Sequence, residues 1–277
     1  MRKKWLGLVL AMVAALSMTV ISGCASNKDA DASVEKTSIK VGVTPGPHAE
    51  IMEVVQKVAA QDGLKIEIIE FSDYIQPNVA LNQSEIDVNS YQHQPFLDAQ
   101  VKDRGYKIET LAKTILFPMG VYSKNLTAIQ QVPENSVIAI PNDPSNGGRA
   151  LNILEKAGLI KLKENAGLSA TAADIVENPK NIEFDANYEP ALMTQLYNND
   201  EGDAVLINSN FAIDAGINPL EDSIAIEDSE SPYVNIVAVQ KGDENNAEIK
   251  ALIEALKSEK VQEFILEEWG GAVVPVE

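Results

Sequence analysis

Two groups of residues in this 277-residue chain combine types and spacing that suit the capture of a small charged molecule. The first is Pro141-Asn142-Asp143-Pro144-Ser145-Asn146-Gly147-Gly148-Arg149. An apolar run, Val137 to Ile140, precedes it, and Leu151, Ile153 and Leu154 follow at helical spacing, so it reads as strand, turn-rich loop and helix mouth. Ser145 or Asn146 can cap such a helix, whose unpaired backbone N–H groups attract an anion. Gly147 and Gly148 would let a ligand approach the backbone. Arg149 is the odd member, because a cation in the first helical turn opposes the helix dipole by roughly 0.3–1 kcal/mol. Either it holds a ligand carboxylate bidentately, or it is a surface arginine paired with an acid of this acidic chain.

The second group is aromatic and amide-rich: Phe71-Ser72-Asp73-Tyr74 and Tyr91-Gln92-His93-Gln94-Pro95-Phe96. Aromatic residues make up only 5% of the chain, yet Tyr74, Tyr91 and Phe96 gather in these two stretches. They either wall an apolar slot suited to an unbranched or thioether side chain, or pack as satellite core under helices. His93 would donate a hydrogen bond to a ligand or orient a tyrosine. Asn235, the one amide in the apolar run Tyr233 to Val239, either braces a loop or faces the ligand, since a buried amide without partners costs about 1–3 kcal/mol.

The elements that must position these groups follow from periodicity. Ser38 to Thr44 alternates apolar and polar as a half-buried strand; Met52, Val55, Val58 and Ala59 mark a helix; Leu64 to Ile68 returns to a strand. A helix at 77–82 and a strand at 86–89 complete an α/β unit with a mainly parallel sheet, in which ligands gather beyond the carboxyl ends of the strands. Both aromatic stretches fall at such ends. Phe117 to Tyr122 reads as a strand passing between lobes. Further on, strands at 182–184 and 204–207, helices through Ala191 to Leu196 and Phe211 to Ala215, a strand over Ser231 to Val239 and one amphipathic helix from Ala247 to Trp269 complete the pattern.

Composition narrows the function. Arg2, Lys3 and Lys4 precede an apolar run from Trp5 to Ile21 that ends in small residues before Cys24, the pattern of a secretory leader. Residues 1–23 are expected to be removed, and 24–37, polar and without apolar periodicity, to be a tether. The formal charge of −19 becomes −22 when the leader takes three cations with it, which excludes nucleic acid as a partner and leaves membrane attachment to a lipid. A single cysteine allows no internal disulfide, and two histidines are too few for a convincing metal cluster. With no G-x-S-x-G elbow and no H-E-x-x-H, nothing marks an enzyme, and no cofactor is expected.

These stretches, with Val176-Glu177-Asn178-Pro179-Lys180 and Glu230-Ser231-Pro232-Tyr233-Val234-Asn235, together resemble the NlpA/MetQ lipoproteins, the methionine-binding components of bacterial ABC importers. The likeness runs from about Ile39 to the end. It implies an α/β, two-lobe periplasmic-binding-protein fold of type II, each lobe a mainly parallel sheet flanked by helices, joined by two crossing strands. Lobe 1 would comprise 38–119 and 234–277, and lobe 2 would comprise 120–233. By the same resemblance, Ile21-Ser22-Gly23-Cys24 is a lipobox, with Cys24 lipidated on the extracytoplasmic face of the cell membrane. Tyr74, Tyr91 and His93 would surround the methionine side chain, with Phe96 where some members have Tyr. Arg149 would hold the carboxylate, and Asn146, Asn208 and Asn235 would meet the amino-acid backbone. The implied partners are an ABC permease and its ATPase, and the implied ligand is methionine, most simply L-methionine. A methionine-containing dipeptide or another amino acid is the alternative, and a metal-binding lipoprotein a more distant one.

Overall fold

The computed structural model describes residues 38–276, so the leader, the lipidated Cys24 and the tether expected over 1–37 lie outside the described residues. In chain order the elements are β1 (Ser38–Val43), α1 (Pro47–Ala59), β2 (Lys65–Glu70), α2 (Gln76–Asn82), β3 (Val88–Asn89), α3 (Gln94–Arg104), β4 (Ile108–Lys113), β5 (Ile115–Leu116) and β6 (Gly120–Tyr122). Then come β7 (Val137–Ala139), α4 (Pro144–Lys156), β8 (Lys161–Leu162), β9 (Ile175–Glu177), β10 (Glu183–Asp185), α5 (Met193–Asn198), β11 (Ala204–Ile207), α6 (Ser209–Asp214) and β12 (Ser223–Ile226). The chain closes with β13 (Ile236–Gln240), α7 (Ala247–Leu256), α8 (Glu259–Trp269) and β14 (Val274–Pro275).

Two five-stranded sheets share one plan, β2-β1-β3-β13-β4 in the first and β10-β7-β11-β6-β12 in the second. In each, four strands are mutually parallel, and one strand, delivered by a crossing segment, enters antiparallel between the third and the last. This exchange, β13 into the first sheet and β6 into the second, is the two-lobe α/β arrangement of type II periplasmic binding proteins. Each sheet is therefore mainly parallel, as expected, with one antiparallel strand inserted from the opposite direction.

Both sheets are covered on both faces. Val237 and Val239 of β13 join the core under α1, α7 and α8, while Ile236 and Ala238 join the core under α2 and α3. Ala204 and Leu206 of β11 face one core of the second sheet, Val205 and Ile207 the other. A strand buried on both faces reads as an unbroken apolar run, which is why these segments do not alternate in sequence.

Four expectations about element bounds change. The strand expected over Ser231 to Val239 begins only at Ile236, since 231–235 belongs to the crossing segment and Asn235 makes a lone bridge to His93. The strand expected over Phe117 to Tyr122 is interrupted at Phe117-Pro118-Met119, because β5 pairs with β14 and β6 with the second sheet. The helix expected from Ala247 to Trp269 is two helices, broken where Ser258 adopts extended backbone ahead of α8. The helix expected from Phe211 begins at Ser209.

Candidate functional site

The carboxyl ends of β1, β2, β3, β7 and β11 converge on one place. The eight residues singled out as ligand-binding, Tyr74, Tyr91, His93, Phe96, Asn146, Arg149, Asn208 and Asn235, all line a single cavity there of about 290 Å³. Gln92, Phe117 and Asn210 line it too, although none of the three was expected as a ligand contact. A wider groove of about 1050 Å³ lies on the other side of Arg149. Lys156, Asp228 and Leu168 at its edges are exposed, and it lacks the convergent amides and rings of the smaller cavity.

The aromatic wall is built on strand ends. The ring of Tyr74 lies 5.8 Å from those of Tyr91 and Phe96 and 4.9 Å from that of Phe211. The Tyr91 hydroxyl donates to the Tyr74 backbone carbonyl at 2.7 Å, which fixes one ring relative to the other. The Tyr74 hydroxyl donates to Asn210 Oδ1 at 2.6 Å, joining the first-sheet side of the cavity to α6 on the second. Burial pushes both phenols above their ordinary range, so both remain protonated donors.

Beneath the wall, Gln92, Asn78 and Asn89 form a buried amide cluster. Gln92 and Asn78 exchange two hydrogen bonds at 2.7 and 2.8 Å, and Asn89 bonds to both. A fully satisfied buried network of this kind stiffens the support under a site.

The two histidines are neutral and their tautomers follow from their partners. The Phe96 backbone N–H donates to His93 Nδ1 at 3.1 Å, so the proton sits on Nε2 and goes to Asn146 Oδ1 at 3.2 Å. His93 therefore caps α3 and spends its one donor on Asn146. His48 accepts from Asn235 Nδ2 at Nε2, 2.8 Å, and donates from Nδ1 to Thr44 Oγ1, 2.8 Å. Burial lowers the pKa of each to about 3, with the Arg149 charge adding to the effect at His93. Asn235 thus braces its neighbours, donating to His48 and to the Tyr91 carbonyl, and it also lines the cavity.

The helix mouth departs from expectation in three ways. Its cap is Asp143, not Ser145 or Asn146: the carboxylate accepts from the Asn146 backbone N–H and side-chain amide, each at 2.9 Å, and Pro144 opens the helix. Arg149 consequently stands in the second turn, where the dipole penalty has faded. The two glycines also serve the protein rather than a ligand. A Cβ on Gly148 would lie 2.4 Å from the Leu168 carbonyl oxygen, and one on Gly147 would lie 2.9 Å from that of Pro141.

Arg149 lines the cavity and is paired with an acid, but it is buried rather than on the surface. It is 2% exposed, and its partner is Glu227, which no local pattern marks. Nε reaches Glu227 Oε2 and Oε1 at 3.1 and 3.2 Å, and Nη2 pairs with the same carboxylate and with the Phe117 carbonyl, 2.8 Å away. The guanidinium carbon sits 4.7 Å from the centre of the Tyr233 ring. Asn208 Nδ2 donates to Asn146 Oδ1 at 2.8 Å, while the buried Asn208 Oδ1 has no hydrogen-bond partner among the described residues. The cavity lining thus includes an arginine, an amide whose carbonyl oxygen is unsatisfied among the described residues, and several aromatic rings. No group of three or more His, Cys, Asp or Glu side chains among the described residues could hold a metal ion.

Comparison with known proteins places the chain among relatives. The profile of the NlpA lipoprotein family matches residues 39–277. The methionine-binding lipoprotein MetQ of Bacillus subtilis is 39% identical over 100% of this chain and 99% of its own length. The D-methionine-binding lipoprotein MetQ of Salmonella typhimurium is 38% identical over 95% of this chain and 96% of its own. A nutrient-binding protein of Burkholderia cenocepacia, solved bound to methionine, superimposes with a TM-score of 0.83 at 44% identity, covering 86% of this chain and 100% of that one.

Proposed function

The chain belongs to the NlpA lipoprotein family, and from that premise we propose that it binds methionine between two lobes and delivers it to an ABC importer. Lobe 1 is 38–119 with 234–277 and lobe 2 is 120–233. Cys24 carries the lipid that holds the protein to the extracytoplasmic face of the cell membrane, and the partners are a permease and its ATPase. The reading is of a binding protein, not an enzyme.

One observation carries the ligand: the lining of one cavity joins a guanidinium, an amide whose oxygen has no partner among the described residues, and the rings of Tyr74, Tyr91, Phe96 and Phe117. A zwitterion needs these groups once water is excluded, because its carboxylate and ammonium must be hydrogen-bonded. Arg149 takes the carboxylate with the donors that Glu227 leaves free, and Asn208 Oδ1 accepts from the ammonium. Tyr74, Tyr91 and Phe96 contact the thioether, which gains from aromatic neighbours. The names of relatives support methionine, some of them its D form, so both enantiomers belong in the test.

The experiment is calorimetry on protein unfolded to strip bound ligand and then refolded. L-methionine should bind with one-to-one stoichiometry. Absence of heat from either enantiomer, with saturable heat from zinc or manganese, would refute the reading.

A further inference from the structure

Arg149 is the only charged side chain lining the cavity; the other lining residues are amides, rings and a neutral imidazole. A lone buried guanidinium would favour any carboxylate that fits. Here that charge is already met from behind. Glu227 lies on the crossing segment after β12, outside the cavity lining, with its side chain 10% exposed. Its carboxylate takes Nε and Nη2 of Arg149, and it accepts from Ser231 Oγ at 2.8 Å and from the Met119 backbone N–H at 3.2 Å. The other acid close by, Asp143, is occupied by the helix mouth it caps.

We propose that Glu227 is a specificity-determining residue: by neutralising Arg149 it makes the cavity select a zwitterion over a simple carboxylate. The inference rests on the assignment of an amino-acid ligand to this cavity. With the pair intact, a ligand carboxylate meets a guanidinium whose charge is balanced and one edge of which is occupied. Binding then depends as much on the ammonium reaching Asn208 Oδ1 as on the acid end. Remove the Glu227 charge and the cavity gains a full positive charge, which favours an anion and repels the ammonium. Because Glu227 also bonds to Met119 beside β6, the same carboxylate registers Arg149 against both crossing segments.

The test compares L-methionine with its deamino analogue, which has the same carboxylate and thioether tail but hydrogen in place of the ammonium, on wild type, Glu227→Gln and Glu227→Asp. The preference for methionine over the analogue should shrink by roughly tenfold in Glu227→Gln and stay within about threefold of wild type in Glu227→Asp, which keeps the charge. A merely structural role would weaken both ligands alike and leave the ratio unchanged, and that result in folded Glu227→Gln would overturn the proposal. The double variant Arg149→Gln/Glu227→Gln makes the cavity neutral again. Its ratio should return toward wild type; if Glu227→Gln does not fold, Glu227→Ala, which removes the same charge, supplies the test with the same two outcomes. A wild-type protein that binds neither ligand would refute the ligand assignment and this proposal together, whereas normal methionine binding with an unmoved ratio would refute this proposal alone.

Discussion

At the scale of single residues, the site is a set of buried polar groups that hydrogen-bond to one another, with Asn208 Oδ1 the exception among the described residues. Arg149→Ala deletes the anchor for the carboxylate and leaves Glu227 as an unpaired buried charge. Methionine binding measured by calorimetry should weaken by about 2–5 kcal/mol; an affinity within threefold of wild type would remove Arg149 from the site. His48 supplies a second prediction. The unfolded chain protonates this ring below about 6.5, while the folded protein resists until about 3, so the unfolded state binds more protons in that window. The stability that depends on a neutral His48 is therefore complete above pH 6.5 and is lost as pH falls toward 3, by up to about 1.4 kcal/mol per pH unit. Urea denaturation at several pH values should show a shallower decline in His48→Gln than in wild type; equal slopes would mean that His48 is not held neutral. The residue types of the site were legible in sequence because aromatics, amides and one arginine concentrate at strand ends. Glu227 was not, because it sits 78 positions from Arg149 and only the fold brings the two together.

At the scale of elements, α4 shows how one residue serves both the helix and the site. Asp143 caps the helix through one carboxylate oxygen and holds the Asn146 side chain with the other. Asn146 in turn accepts from His93 and Asn208, one on each side of the cavity. Asp143→Ala should cost about 1 kcal/mol of folding stability through the lost cap and weaken ligand binding as well. Asp143→Asn keeps a capping oxygen but gives up the acceptor for the Asn146 amide, so stability should hold while affinity falls. Equal losses of stability in both variants would contradict this division of roles. The strand–loop–helix pattern was readable from Val137 to Leu154, but the choice of cap was not settled by composition, since Asp143, Ser145 and Asn146 are all competent. Asp-Pro decides it, because Pro144 at the first helical position leaves Asp143 as the residue before it. The glycines were legible as a close approach, but only the packed 168–170 segment reveals what approaches them.

At the scale of the whole molecule, the two sheets trade a strand each, so the crossing segments run between them and past the site. Hydrogen bonds from Tyr74 to Asn210 and from His93 to Asn146 span the cavity between residues near the first sheet and residues near the second. Ligand capture and the approach of the two halves are expected to be one event, since the groups that meet the ligand come from both. The α/β class and the order of elements were plain from periodicity and from Gly and Pro punctuation. The one antiparallel strand in each otherwise parallel sheet was not, because its direction depends on the crossing segment that delivers it. The central claim, one zwitterion gripped by a guanidinium at its acid end and rings at its tail, is tested most directly by a crystal structure of the methionine complex. The account predicts the carboxylate within hydrogen-bond distance of Arg149, the ammonium on Asn208 Oδ1 and the sulfur among Tyr74, Tyr91 and Phe96. Methionine seated instead in the outer groove beside Lys156, with this cavity still closed, would contradict it.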